Sequence, residues 1–130
     1  MTATRDEVEA LWATAIADPS GHQAIAAQAE MLFGDAENPI VDDGIHILYC
    51  LDRSGADHDT AALIACRDRW RERLAEFDAD PDGWMRAYFR HMLADFAARR
   101  GERAACRFGG MLVRDGHLLT EDVDLALQDR

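Results

Sequence analysis

Apolar residues recur three and four positions apart over most of this chain, the period of an α-helix with one buried side. Val8, Leu11, Trp12, Ala15 and Ile16 open the series. Thr4 and Glu7 ahead of them have the form of a capping box, in which each side chain satisfies a backbone N–H at the helix start. Asp18-Pro19-Ser20-Gly21 ends that helix. Ser20 with Gln23 caps a second, which buries Ile25, Ala29, Leu32 and Phe33, stops at Gly34 and is closed off by Asn38-Pro39. A third helix is expected over 41–53. Its centre, Ile45 to Leu51, is apolar nearly all round, as a buried strand would also be. Asp42 and Asp43 in a first turn and Ser54-Gly55 as a stop favour the helix.

The fourth and fifth helices have the clearest marks. Asp57 or Asp59 opens the fourth, and Leu63, Cys66, Trp70, Leu74 and Phe77 follow down one face. Asp80 before Pro81 is an N-cap followed by a proline whose missing N–H costs nothing in the first turn. Met85, Tyr88, Phe89, Met92, Leu93 and Phe96 form the next stripe, and Arg99, Arg100 and Gly101 are C-terminal signals. Only Asp78 and Ala79 separate these two helices, which predicts an antiparallel pair. Near the C-terminus, Asp115-Gly116 between apolar residues is a hairpin signal over 111–120. The favoured alternative is a helix over 102–114, a turn at Gly116 and a last helix from Thr120 carrying Val123, Ala126 and Leu127. The predicted fold class is therefore all-α: a compact bundle or short stack of helical hairpins with six to seven helices, a small β-hairpin near 111–120 being the one departure. One helical domain over 1–130 fits the length.

Composition narrows the picture. Apolar residues make up 48% of the 130, enough for a core without metals or disulfides and too much for a disordered chain. The formal charge is −11, and every basic residue is arginine. Phosphate backbones require clustered cations; the densest run, Arg67, Arg69, Arg71 and Arg73, winds around a helix and is interrupted by Asp68, Glu72 and Glu76. Nucleic acid is not an expected partner, and an acidic surface favours a basic one. No run approaches the ~20 apolar residues of a membrane span, and the N-terminus lacks the basic start and apolar stretch of a signal peptide. The expected setting is the cytoplasm of a bacterium-like cell. Cys50, Cys66 and Cys106 are odd in number and lack Cys-x-x-Cys spacing, so each is expected to be a free, buried thiol.

Two sets of residues are candidates for chemistry. Asp42, His46 and Cys50, spaced i, i+4, i+8, share one helix face, and carboxylate, imidazole and thiol in that order resemble an activated-thiol site. The plain alternative is a histidine bonded to an aspartate above a buried cysteine. His91 and Asp95 form a second i, i+4 pair. With Asp42 and His46 they are the candidate metal ligands of a bundle core, against the plain alternative of surface ion pairs. No Glu-x-x-His occurs, no glycine-rich phosphate loop follows a strand, and no cofactor is expected.

Ala105, Gly110, Val113, Gly116, Leu119, Asp122 and Ala126 fall in the pattern of one Sel-type repeat, a short relative of the tetratricopeptide helix pair, which residues 105–126 resemble. Val113 stands where that repeat has an aromatic residue and Gly109 where it has leucine. Leu112, Val113, Gly116, Leu119 and Thr120 also resemble the core of the N-terminal domain of type II secretion ATPases, with one residue too many after the glycine. Both resemblances imply helix, glycine turn, helix, and the first implies a scaffold that holds proteins or peptides. The expected function is a non-catalytic protein-interaction module: an adaptor, a chaperone-like holder or an immunity-type antagonist of a basic protein. The alternative is a His/carboxylate metal enzyme or thiol enzyme in a helical bundle.

Overall fold

A computed structural model of the chain describes residues 2–53 and 59–128. These form seven α-helices: α1 Arg5–Ala17, α2 His22–Glu30, α3 Pro39–Tyr49, α4 Thr60–Ala79, α5 Pro81–Arg100, α6 Glu102–Arg114 and α7 Thr120–Gln128. Short 3-10 turns at Pro19–Gly21 and Cys50–Asp52 follow α1 and α3. No sheet forms among the described residues; one isolated bridge joins Ala3 to Ala36. The all-α class with six to seven helices is correct. Contacts divide the chain into two compact units, Met1–Ala75 and Glu76–Arg130.

In the first unit α1, α2 and α3 pack on one another. The capping box is in place: the Glu7 N–H donates to the Thr4 hydroxyl oxygen, and the Thr4 N–H to the Glu7 carboxylate. The second helix departs from expectation. Asp18, not Ser20, caps the turn before it, accepting from the Ser20 N–H and hydroxyl. Because α2 stops at Glu30, Phe33 falls beyond its buried stripe and is 39% exposed, stacked on His46. The third helix starts two residues before the predicted 41 and ends at Tyr49. Asn38 accepts from the N–H groups of Ile40 and Val41 ahead of Pro39, so Asn38-Pro39 is a helix start as well as a break. Ile40, Val41, Ile45 and Leu48 are fully buried. The Ser54-Gly55 stop, Asp57 and His58 lie outside the described residues; Asp59 does cap α4, accepting from the Ala61 N–H.

Trp70 of α4 closes this core. Its indole N–H donates to the Ile40 carbonyl at 2.6 Å, and its ring lies 6.3 Å from that of Trp12. A side chain at residue 44 would meet the Trp70 indole nitrogen at 2.6 Å, so Gly44 is what lets α3 lie under the ring. At the surface of the same unit Arg71 holds Glu9 through two 2.7 Å bonds and Arg73 holds Asp43 at 2.8 Å.

In the second unit α5 packs on α6 and α7, and α6 on α7; the antiparallel partner expected for α5, α4, belongs mostly to the first unit. Asp80 caps α5 as predicted, accepting from the Gly83 N–H. Leu93, Ala97, Ala105, Leu112, Leu118 and Ala126 are the buried centre, surrounded by Phe89, Phe96, Phe108, Val113, Val123 and Leu127. The hairpin alternative at 111–120 does not occur. α6 runs to Arg114, Gly116 takes φ +82°, and the N–H groups of His117 and Leu118 bond back to the Leu112 carbonyl. Asp-Gly ends a helix here because Leu112 and Leu118 bury on the same core, which a strand pair would separate.

The two adjacent glycines of α6 differ. A Cβ on Gly109 would press on Val123 at 2.8 Å, whereas one on Gly110 would meet open space. Gly110→Ala is expected to stabilise the protein by about 0.5–1 kcal/mol through helix propensity. Gly109→Ala is expected to destabilise it by about 1–3 kcal/mol through overpacking. Urea unfolding of the two variants checks the opposite signs.

Candidate functional site

The sequence-derived pairs fare differently in the fold. Asp42 and His46 do meet, Oδ2 to Nε2 at 3.5 Å, on an exposed part of α3. The other face of the imidazole stacks on Phe33 at 4.8 Å between ring centres. Cys50 ends that helix, its N–H donating to the His46 carbonyl while its side chain is exposed. Carboxylate and imidazole thus meet, and the thiol is not enclosed among apolar residues as expected. His91 and Asp95 do not pair with each other; the Asp95 carboxylate turns to Arg99 at 3.0 Å. They lie in the second unit and Asp42 and His46 in the first. No group of three or more His, Cys, Asp or Glu side chains among the described residues is arranged to hold a metal ion.

Burial of the cysteines needs correcting for all three. Cys50 and Cys106 are exposed and Cys66 is half-buried, its sulfur 3.7 Å from an Arg69 guanidinium nitrogen. Apolar neighbours in sequence did not imply burial, because Cys50 falls just past the end of α3 and Cys106 on the solvent side of α6. Thiol titration of the native protein should therefore give two fast-reacting groups and one slower one. Three slow groups would contradict this placement.

One strongly constrained polar group entered the sequence reading only as a position of the repeat pattern. Asp122, in the first turn of α7, is 2% exposed. Its carboxylate accepts from Arg86 at 2.9–3.2 Å and from the Leu119 N–H at 2.8 Å, with Arg90 at 3.6 Å. The bond from Leu119 completes the N-terminus of α7 in the manner of half a capping box. The Arg86 bonds, and secondarily the Leu119 N–H and the Arg90 charge, hold the Asp122 carboxyl below the usual carboxylate range, against the opposing effect of its burial. The available signal was an acidic residue three positions after a helix start, which reads as a dipole partner and says nothing of burial.

Beside this network lies a cavity of about 440 Å³ lined by Asp82, Met85, Arg86, Phe89 and residues 116–119. His117 stacks on Phe89 at 4.5 Å, and ring contacts continue through Tyr88 and Trp84 to Phe77. The Arg86 guanidinium is already spoken for by Asp122, so the cavity offers stacking and apolar surface. It brings no nucleophile together with a base.

A second surface, in the first unit, combines exposed apolar side chains with several acidic residues. A groove of about 380 Å³ between α1 and α2 is lined by Glu7, Ala10, Leu11, Gln28, Met31 and Leu32. Met31 is 85% exposed. The Ala3–Ala36 bridge brings Asp35 and Glu37 to the start of α1, beside Asp6 and Glu7. Thr2 donates to Asp35, and the Arg5 N–H donates to Glu37.

No family model, curated protein or solved structure matches the chain.

The folded carboxyl of Asp122 titrates below its unfolded value of about 3.9. Its contribution is therefore fully present above that value and is lost as pH falls through the lower folded one. Asp122→Asn is expected to cost on the order of 1–2 kcal/mol near pH 7, a moderate figure because both arginines keep contact with water. The gap to the parent protein should close below about pH 4. Thermal unfolding of both proteins across pH 2–7 checks it; a gap independent of pH would show that the carboxylate is not what Asp122 contributes.

Proposed function

We propose that the protein is a non-catalytic interaction module whose acidic first unit takes a basic surface of another protein. The observation that carries this reading is the unequal use of charge. The first unit has fourteen acidic residues against six arginines. All six arginines are engaged: Arg67 with Asp68, Arg71 with Glu9, Arg73 with Asp43, Arg53 over the Tyr49 ring, Arg69 with Cys66, and Arg5 as well. What remains for solvent is carboxylate, placed at one end of a groove that exposes Met31 beside half-buried Leu32. Acid beside accessible apolar surface suits a cationic, partly apolar segment, since charge sets orientation and encounter while the apolar contact supplies affinity.

The metal and thiol alternatives have less support, because they need groups that converge, and the candidates stand in twos. The resemblance of 105–126 to a Sel-type repeat belongs to the same proposal: a helical scaffold that holds a partner.

The test is fluorescence polarisation with a labelled peptide of alternating arginine and leucine. Binding in low salt and loss as salt rises are expected. Met31→Ala should weaken it about tenfold at every salt concentration, equivalent to about 1.4 kcal/mol. Glu7→Gln, which preserves the capping box, should lessen the salt dependence. A peptide that does not bind in low salt, or binds both variants like the parent, would overturn the reading.

A further inference from the structure

The exposed side of α6 carries Arg103, Arg107, Met111 and Arg114, spaced i, i+4, i+8 and i+11, so all four stand in one stripe. Ala105, Gly109 and Leu112 occupy the opposite, buried side. None of the three arginines has a carboxylate within ion-pair distance among the described residues, although the chain as a whole is strongly acidic. Met111 between them is 51% exposed. A cationic stripe with a large apolar residue at its centre thus lies on the same chain as an acidic groove with an exposed methionine at its edge.

We infer that the basic surface taken by the first unit is α6 of a second copy of this chain, with Met111 seated in the α1–α2 groove and Arg107 and Arg114 on the carboxylates around the start of α1. This rests on the interaction reading above and names the occupant. The complementarity is twofold. An unpaired cationic stripe meets an acid excess whose own arginines are consumed, and a flexible thioether, which adapts to irregular apolar surfaces, meets a groove lined by Leu11, Met31 and Leu32. An anionic polymer is the less favoured occupant, because a net charge of −11 repels it at long range. The two faces of the contact differ, so it is heterologous and each copy still offers one free face after binding.

Sedimentation velocity of the full chain tests this. In about 0.01 M salt, where charges act over about 30 Å, the average mass should rise with concentration; in about 1 M salt, where they act over about 3 Å, it should fall to that of the monomer. Arg107→Glu and Met31→Arg each change an exposed residue and should each give a monomer under all conditions. An equimolar mixture of the two should recover a dimer and go no further, since only the α6 of Met31→Arg and the groove of Arg107→Glu remain intact. A parent protein that stays monomeric in low salt would overturn the inference, as would self-association that survives both variants. In either case the arginine–leucine peptide decides separately whether the interaction reading stands. A monomer that binds a labelled single-stranded oligonucleotide, with loss in Arg107→Glu, would instead assign the stripe to nucleic acid.

Discussion

Trp70 reaches the Ile40 carbonyl only because residue 44 carries no side chain. A buried indole N–H needs a partner, and a helix carbonyl that accepts along the axis keeps a second lone pair for one. Ile40 stands in the first turn of α3, and the missing Cβ four residues on allows the ring to come down onto that turn. The contact ties α4 to α3, and Trp12 packs against the same ring. Trp12 itself has a buried indole N–H without a partner, which tolerates no further loss around it. The first unit therefore depends on a bare stretch of backbone more than on the quantity of apolar side chain. The second unit repeats the device at Gly109, where α7 approaches through Val123.

The polar design follows a related economy. Where arginines lie over the helices of the first unit they are matched one by one, as in the paired bonds of Arg71 to Glu9, which hold the Glu9 carboxyl below its ordinary range. Exposed pairs of this kind contribute little to stability, about 0–1 kcal/mol each; their larger effect is to decide which charges stay available. The matching uses up cations in the first unit and leaves acid, while Arg103, Arg107 and Arg114 of α6 form no ion pair among the described residues. A uniformly acidic protein would repel copies of itself; one whose charge is divided in this way need not.

The fold was legible wherever a local rule had a local cause. The Thr4–Glu7 box and the Asp80-Pro81 start depend on three or four consecutive residues, and both form as read. Asn38-Pro39 carried the same start signal as Asp80-Pro81, yet after Gly34 it read as a terminator, because a cap and a break share the same residues. Phe33 and Cys50 failed for a different reason. Helical spacing says which face a residue occupies only while the helix lasts, and α2 and α3 end one turn earlier than the apolar pattern does.

The site was less legible because its content is relational. Asp42 and His46 were found, since an i, i+4 pair is a property of one helix. Asp122 was named only as a position of the repeat pattern, since its partners Arg86 and Arg90 lie more than thirty positions away. The run Arg67 to Arg73 looked like the best cationic cluster in the sequence, whereas α6, with its arginines four and seven apart, looked ordinary. Pairing reverses that order: density along the chain measures how many cations there are, and only the carboxylates that fold against them determine how many remain. On an acidic chain, the cations left available are the ones the fold has failed to neutralise, and three of these stand on α6, which supplies a single acid of its own.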